Sequence, residues 1–235
     1  MSLRKFNEKI KEKNRKLHES SESLRKRVYQ HIVKEIANGN LLPGNAISLK
    51  EICEKLQIST QPLRDALIRL ETEGFVSIYP RSGVIIKPLD INEIRYLYEI
   101  IGALEIALLE SSFDKFSSLD IASMEKFNQK MKKAVTNGDY IAFSKPHWDF
   151  HDLFTEISGN YIARKIIKPM KLRLWNAPRR RFYKDWEVMA CDEHEQITNA
   201  IKAKNISEAL RVIKQLHWNF SYNEKYIRWV YFYTL

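Results

Sequence analysis

The stretch STQPLRDALIRLETEGFVSIYPRSGVIIK (residues 59–87) decides the fold. Ser59 is a strong helix N-cap, and Pro62 falls in the first turn, where a missing N–H loses no helical partner. Leu63, Ala66, Leu67 and Leu70 recur at helical spacing as a core face. Gly74 stands where a helix end needs a left-handed residue. Phe75 to Tyr79 and Val84 to Lys87 are β-branched and aromatic runs around Pro80-Arg81-Ser82-Gly83, a turn signal, so a β-hairpin follows the helix.

Upstream, Leu24, Val28, Ile32 and Ile36 share one face of a helix over 24–38, which Gly39 and then Pro43-Gly44 end. Ser48 with Glu51 predicts a capping box opening a short helix to Leu56, and Gln57-Ile58 is a tight connection. Helix, short helix, tight turn, capped helix and hairpin is the order of a winged helix-turn-helix.

Downstream the pattern changes near residue 90. Pro88 stops the hairpin strand, and Asp90 can cap a helix bearing Ile94, Leu97, Tyr98, Ile101, Leu104 and Leu108 on one face. Helical patterns follow over 118–137, 139–158 with Pro146 as a kink point, 161–181, 186–203 and 206–229. The expected fold is mainly α. It comprises a basic arm (1–22), a winged helix-turn-helix (23–88), a linker (89–91), and an all-α antiparallel bundle (92–235) for effector, metal and dimer contacts.

Composition agrees. At 235 residues, 44% hydrophobic and 29% charged, the chain can bury two modest cores and is no disordered polyelectrolyte. The formal charge of +10 makes a polyanion the expected partner. The excess is concentrated at one end: residues 1–90 carry 17 Lys and Arg against 11 Asp and Glu, the remainder 22 against 18. Cys53 and Cys191 lie too far apart in sequence for a CxxC site, and no apolar run is long enough to span a membrane. A soluble protein of the reducing cytoplasm is expected.

A recognition helix presents its N-terminal residues to base edges in the major groove of double-stranded DNA. Here Ser59, Thr60, Gln61 and Arg64 sit on or beside the first turn, Arg69 lies further along, Lys50 opens the preceding helix, and Arg81, Ser82 and Gly83 tip the hairpin. Gln suits adenine, Arg suits guanine, and either can hold phosphate.

Residues 36–89 resemble the DNA-binding domain of the GntR superfamily of bacterial transcription regulators. The resemblance rests on the turn at Gly39, Pro43 and Gly44, the Ser-x-x-Pro-Leu-Arg-x-Ala-Leu core at 59–67, Leu70 with Gly74, and Arg81 with Gly83. Where the family usually has Arg after the N-cap Ser, this chain has Thr60, and Gln61 replaces the usual Thr. The resemblance therefore implies an atypical operator or phosphate contacts moved to Lys50 and the basic arm.

Four of the six histidines lie beyond residue 90. His147 and His151, four apart in one helical pattern, share a face, the arrangement a divalent metal needs from a single helix; His194 and His217 come from later helices. Satisfied core histidines are the alternative reading. The segments HWDFHDLFTEISGN (147–160), HEQITNAI (194–201) and QLHWNF (215–220) resemble the FCD domain, the helical effector-binding module of the FadR-like branch. The resemblance implies a metal held by His147, His151, His194 and His217, with His147 at a position usually held by Asp. Nitrogen in place of oxygen favours Zn²⁺, Ni²⁺ or Cu²⁺ over Mg²⁺, Ca²⁺ or Mn²⁺, with Zn²⁺ or Ni²⁺ expected first.

The same resemblance places an effector-gripping Arg where this chain has Ile101. Arg173 and the Arg179-Arg180-Arg181 run are substitute cations, the run reading first as a solvated helix end, and Asn160 belongs to the expected effector site. Trp148, Trp175, Phe182 and Trp186 read as core. The whole implies a homodimeric regulator, by family default a repressor relieved by a small organic acid. A metal-dependent enzyme is the alternative, although no paired carboxylates, activated nucleophile or Gly-rich phosphate loop supports it.

Overall fold

The structure is a computed structural model that describes residues 22–175 and 183–232. Residues 1–21 of the basic arm, and the Arg179–Arg181 run with Phe182, lie outside the described residues. The chain divides into two compact units, Met1–Pro88 and Leu89–Leu235.

In the first unit, helix α1 (22–37) buries Val28, Ile32 and Ile36, the face its i, i+4 spacing predicts. Helix α2 (Leu49–Leu56) starts at Ser48, whose Oγ accepts the Glu51 N–H at 3.3 Å. It stops at Gln57, which turns left-handed at φ +52°. Helix α3 (Thr60–Thr72) buries Pro62, Leu63, Ala66, Leu67 and Leu70. Strands β1 (Val76–Tyr79) and β2 (Gly83–Ile86) pair antiparallel with Tyr79 opposite Gly83. Gly83 at φ +102° allows the sharp reversal at the tip. Ala46 also pairs with Ile85, so the segment before α2 braces the hairpin, a contact the sequence pattern does not announce.

The second unit is helical. Helix α4 (Ile91–Ser112) begins at Asp90, whose carboxylate accepts the Asn92 and Glu93 N–H groups. Helices α5 (Ser118–Asn137), α6 (Tyr140–Ser158), α7 (Tyr161–Trp175) and α8 (Lys184–Lys202) follow. Ion pairs Lys132–Glu195 and Lys202–Glu125 show that α5 and α8 run antiparallel. The core includes Phe143, Phe150, Phe154, Met124 and Met131, each 0–1% exposed and each contributing about 1.5–3 kcal/mol by burial.

The continuous helix expected over 206–229 does not form. Helix α9 (Ile206–Val212) runs into a π-helical turn (Ile213–His217), and α10 (Phe220–Ile227) restarts from Asn219 before a second π turn (Arg228–Phe232). The Trp218 N–H reaches back five residues to the Ile213 carbonyl at 2.9 Å. Asn219 caps α10, and Asn223 Nδ2 donates to the Leu216 and His217 carbonyls freed by the break. Apolar periodicity passes through the break unchanged, so the pattern does not reveal it. Among the described residues no helix is long and apolar enough to cross a membrane.

Candidate nucleic-acid interface and metal centre

Ser59, Thr60, Gln61 and Arg64 are exposed together at the start of α3, whose opposite face is locked in the core. Ser59 has N-cap backbone geometry, but its hydroxyl makes no capping bond. Gln61 Nε2 donates to Asp65 at 2.9 Å, which holds the amide along the helix. Lys50 is exposed at the start of α2, with Glu54 at 3.9 Å. Arg81, Ser82 and Gly83 are exposed at the hairpin tip.

Arg69 is exposed further along α3 and already has partners within the unit. Its guanidinium pairs with Glu73 at 2.9 Å and stacks over the Tyr29 ring at 4.2 Å, tying α3 to α1. Tyr29 in turn donates to Glu73. Arg69 holds the recognition helix in place.

The four histidines come together. One ligand nitrogen from each of His147, His151, His194 and His217 lies within 4.8 Å of the others, and all four residues are buried. His151 Nε2 is 3.2 Å from His194 Nε2 and 2.9 Å from His217 Nε2. Nitrogens bound to one metal at about 2.0–2.1 Å stand roughly 2.8–3.4 Å apart for angles from 90° to tetrahedral, so the His151–His194 and His151–His217 spacings fit a shared ion. His217 joins the cluster from the end of the π turn Ile213–His217.

The surroundings prepare these nitrogens. His151 Nδ1 is 2.9 Å from Glu105 Oε2, and His217 Nδ1 is 2.8 Å from Glu193 Oε2. A carboxylate on Nδ1 draws the proton there and leaves the Nε2 lone pair facing the cluster. Burial first, then the charges of His217 and Lys171, hold His151 well below the ordinary imidazole pKa. Burial and the three other histidines do the same for His194. Neutral imidazoles are the metal-binding form. The donor set therefore fits a divalent transition metal, and His147, His151, His194 and His217 are the residues that would hold it.

Glu105 and Lys171 also lie at this site, to which the sequence reading did not assign them. The cation facing Glu105 comes from α7: Lys171 Nζ lies 2.6 Å from Oε1, with both side chains buried. Lys171 shares the buried face of α7 with Ala163, Ile167 and Leu174, and a lysine in that periodic set was the available signal. Trp218 Nε1 also donates to Glu105, at 2.7 Å.

A small cleft opens beside His147 and His217, lined among others by Tyr98, Trp175, Trp186 and Glu193. Trp175 and Trp186 thus line a cleft in addition to packing, whereas Trp148 packs edge-on against Trp175. The two residues expected to bind effector lie elsewhere. Arg173 is buried and pairs with Glu93 at 2.9 Å, and burial lowers its pKa. Asn160 is exposed, and its Oδ1 accepts the Ala163 N–H in the first turn of α7. Both have structural tasks outside the cleft lining.

Comparison with known proteins bears directly on this arrangement. Residues 24–86 match the bacterial regulatory proteins of the gntR family, and residues 96–217, more than half the chain, match the FCD domain. The chain belongs to the GntR family of transcriptional regulators, in the branch that carries an FCD domain. A similar protein is YdhC of Bacillus subtilis, an uncharacterized HTH-type transcriptional regulator, 24% identical over 193 residues, 81% of this chain and 86% of its own. The HTH-type transcriptional repressor RspR of Escherichia coli is 22% identical over 64% of this chain and 66% of its own. The solved structure of E. coli McbR/YncC superposes with a TM-score of 0.70 at 18% identity, covering 86% of this chain and 98% of that one, and shares the fold. The protein is a DNA-binding transcriptional regulator with an FCD effector-binding domain. It is a regulator and not an enzyme, which sets aside the metal-dependent enzyme.

Proposed function

We propose that the protein is a homodimeric repressor whose operator affinity is set by a small organic acid bound beside a Zn²⁺ or Ni²⁺ ion in the helical unit. The observation that carries the reading is the convergence of the His151, His194 and His217 Nε2 atoms next to a cleft, in a chain that also exposes the reading end of α3. Lys50, Ser59, Thr60, Gln61 and Arg64 contact the major groove or its phosphates, and Arg81, Ser82 and Gly83 approach the adjacent backbone. A bound metal supplies positive charge for an effector carboxylate.

One recognition helix reads only a few base pairs, so two half-sites about one turn apart call for a two-fold protein. Exposed apolar residues Tyr96 and Ile100 on α4, and Ile162 and Ile166 on α7, support pairing through the helical unit, because these two helices pack together. His147 in place of a carboxylate supports the choice of a nitrogen-preferring metal.

Selection from fragmented bacterial genomic DNA, followed by footprinting, tests the DNA reading. Two protected half-sites spaced by about one helical turn are expected. Binding that is equally salt-steep for every duplex refutes it. Elemental analysis of the purified protein should give one transition metal per chain, lost in His194→Ala.

A further inference from the structure

We infer that Lys171 is a built-in counter-cation of the histidine centre, satisfying Glu105 when the metal is away and keeping the affinity low enough for the ion to exchange. The inference rests on the metal reading proposed above. Lys171 is 1% exposed and Glu105 0%. Glu105 divides its two oxygens between opposing demands. Oε1 faces the Lys171 ammonium at 2.6 Å, and Oε2 faces His151 Nδ1 at 2.9 Å and Trp218 Nε1 at 2.7 Å.

A buried ammonium is costly, and the other residues on this face of α7 are Ala163, Ile167 and Leu174, so an apolar residue would serve packing better. In a centre built to keep its metal permanently, a fixed cation behind a ligand's carboxylate works against the ion. It draws electron density from Glu105, which weakens His151 as a donor. It would also repel a divalent ion across one carboxylate and one imidazole, in an interior that screens less than water.

Without the metal the balance reverses. The cation set against Glu105 is then Lys171, at 2.6 Å, and with an apolar residue in its place the buried carboxylate would lose that ion pair. Lys171 thus stabilises the metal-free fold and opposes the metal-bound one. Both effects narrow the same difference, which is the binding free energy of the metal. A residue with a purely structural role would stabilise both forms alike.

The test compares full-length wild type, Lys171→Met and Lys171→Arg after chelator stripping. Zn²⁺ affinity is read by competition with a chromophoric chelator, and thermal unfolding is followed with and without Zn²⁺. Lys171→Met is expected to bind Zn²⁺ about 10–100-fold more tightly, to melt lower without metal, and to gain more from it. Lys171→Arg should stay near wild type because the charge remains. Lys171→Met affinity within twofold of wild type, or an equal loss of Tm with and without Zn²⁺, overturns the inference. If Lys171→Met folds only when Zn²⁺ is present, the inference is supported. If it folds in neither condition, Lys171→Gln decides by the same affinity criterion. Wild type that binds no Zn²⁺ brings down the metal reading itself, a result distinct from equal affinities in the two proteins.

Discussion

Gly102→Ala tests how tightly the histidine centre depends on the close approach of α4 to the π turn. A Cβ at residue 102 would stand 2.7 Å from Trp218 Cβ and 3.3 Å from its Cγ. Ordinary carbon contacts are about 3.5–4.0 Å, so the two segments must separate by about 1 Å. The obstructing atom is next to the Trp218 backbone and cannot swing aside as a side-chain tip would. Trp218 is also clamped, with Nε1 on Glu105 at 2.7 Å and its ring edge-on to Tyr98 at 5.2 Å. Overpacking of this kind costs about 1–3 kcal/mol, while replacing a mid-helix Gly by Ala returns up to about 1 kcal/mol of helix propensity. A net loss of about 1–2 kcal/mol is expected in urea unfolding. The sharper readout is metal affinity: His217 adjoins Trp218 and His151 shares Glu105 with it, so the substitution disturbs two ligands through their supports, for an expected 10–100-fold loss in chelator competition. A variant that gains about 1 kcal/mol of stability and binds metal like wild type would refute the reasoning, since helix propensity alone would then operate.

Other consequences can be checked independently. Arg64→Ala should weaken operator binding by about 1–3 kcal/mol in a gel shift and relax sequence preference, whereas Arg69→Ala should lower stability through the lost Glu73 and Tyr29 contacts. Burial pushes the Cys191 thiol up to about 12, so a thiol reagent at pH 8 should modify half-buried Cys53 promptly and reach Cys191 only on unfolding. His151 and His194 are held neutral in the fold but take up protons near pH 6.5 when unfolded. Their contribution to the metal-free protein is therefore full above that pH and is lost as pH falls below it, with a slope of up to about 2.7 kcal/mol per pH unit for the two together. Urea midpoints that stay flat from pH 7 to 5.5 would contradict this.

The winged unit was legible because its signals are local. Caps, Pro62, Gly74 and the Pro80–Gly83 turn act within a few residues, and the structure returns α3 and the hairpin where they point. The four histidines were legible as a candidate donor set because imidazoles at helical spacing carry their chemistry in their identity. Their supports were not. Glu105 looks like one more charge on α4, and Lys171 like one more on a basic helix, until packing removes both from water. The partners of Arg173 and Asn160 were hidden for the complementary reason: a cation and an amide near a motif announce capability, whereas partners such as Glu93 and the Ala163 N–H are chosen by the fold.

Periodicity and capping chemistry alone thus established a winged helix-turn-helix joined to a helical domain, and residue type alone established a nitrogen-rich donor set. Tertiary structure decided which charges are buried together, where the last helix breaks beside His217, and which arginines are spent on packing. Those outcomes depend on desolvation and on distances between residues far apart in the chain. Glu105 and Trp218, 113 positions apart yet 2.7 Å distant, are the plainest case.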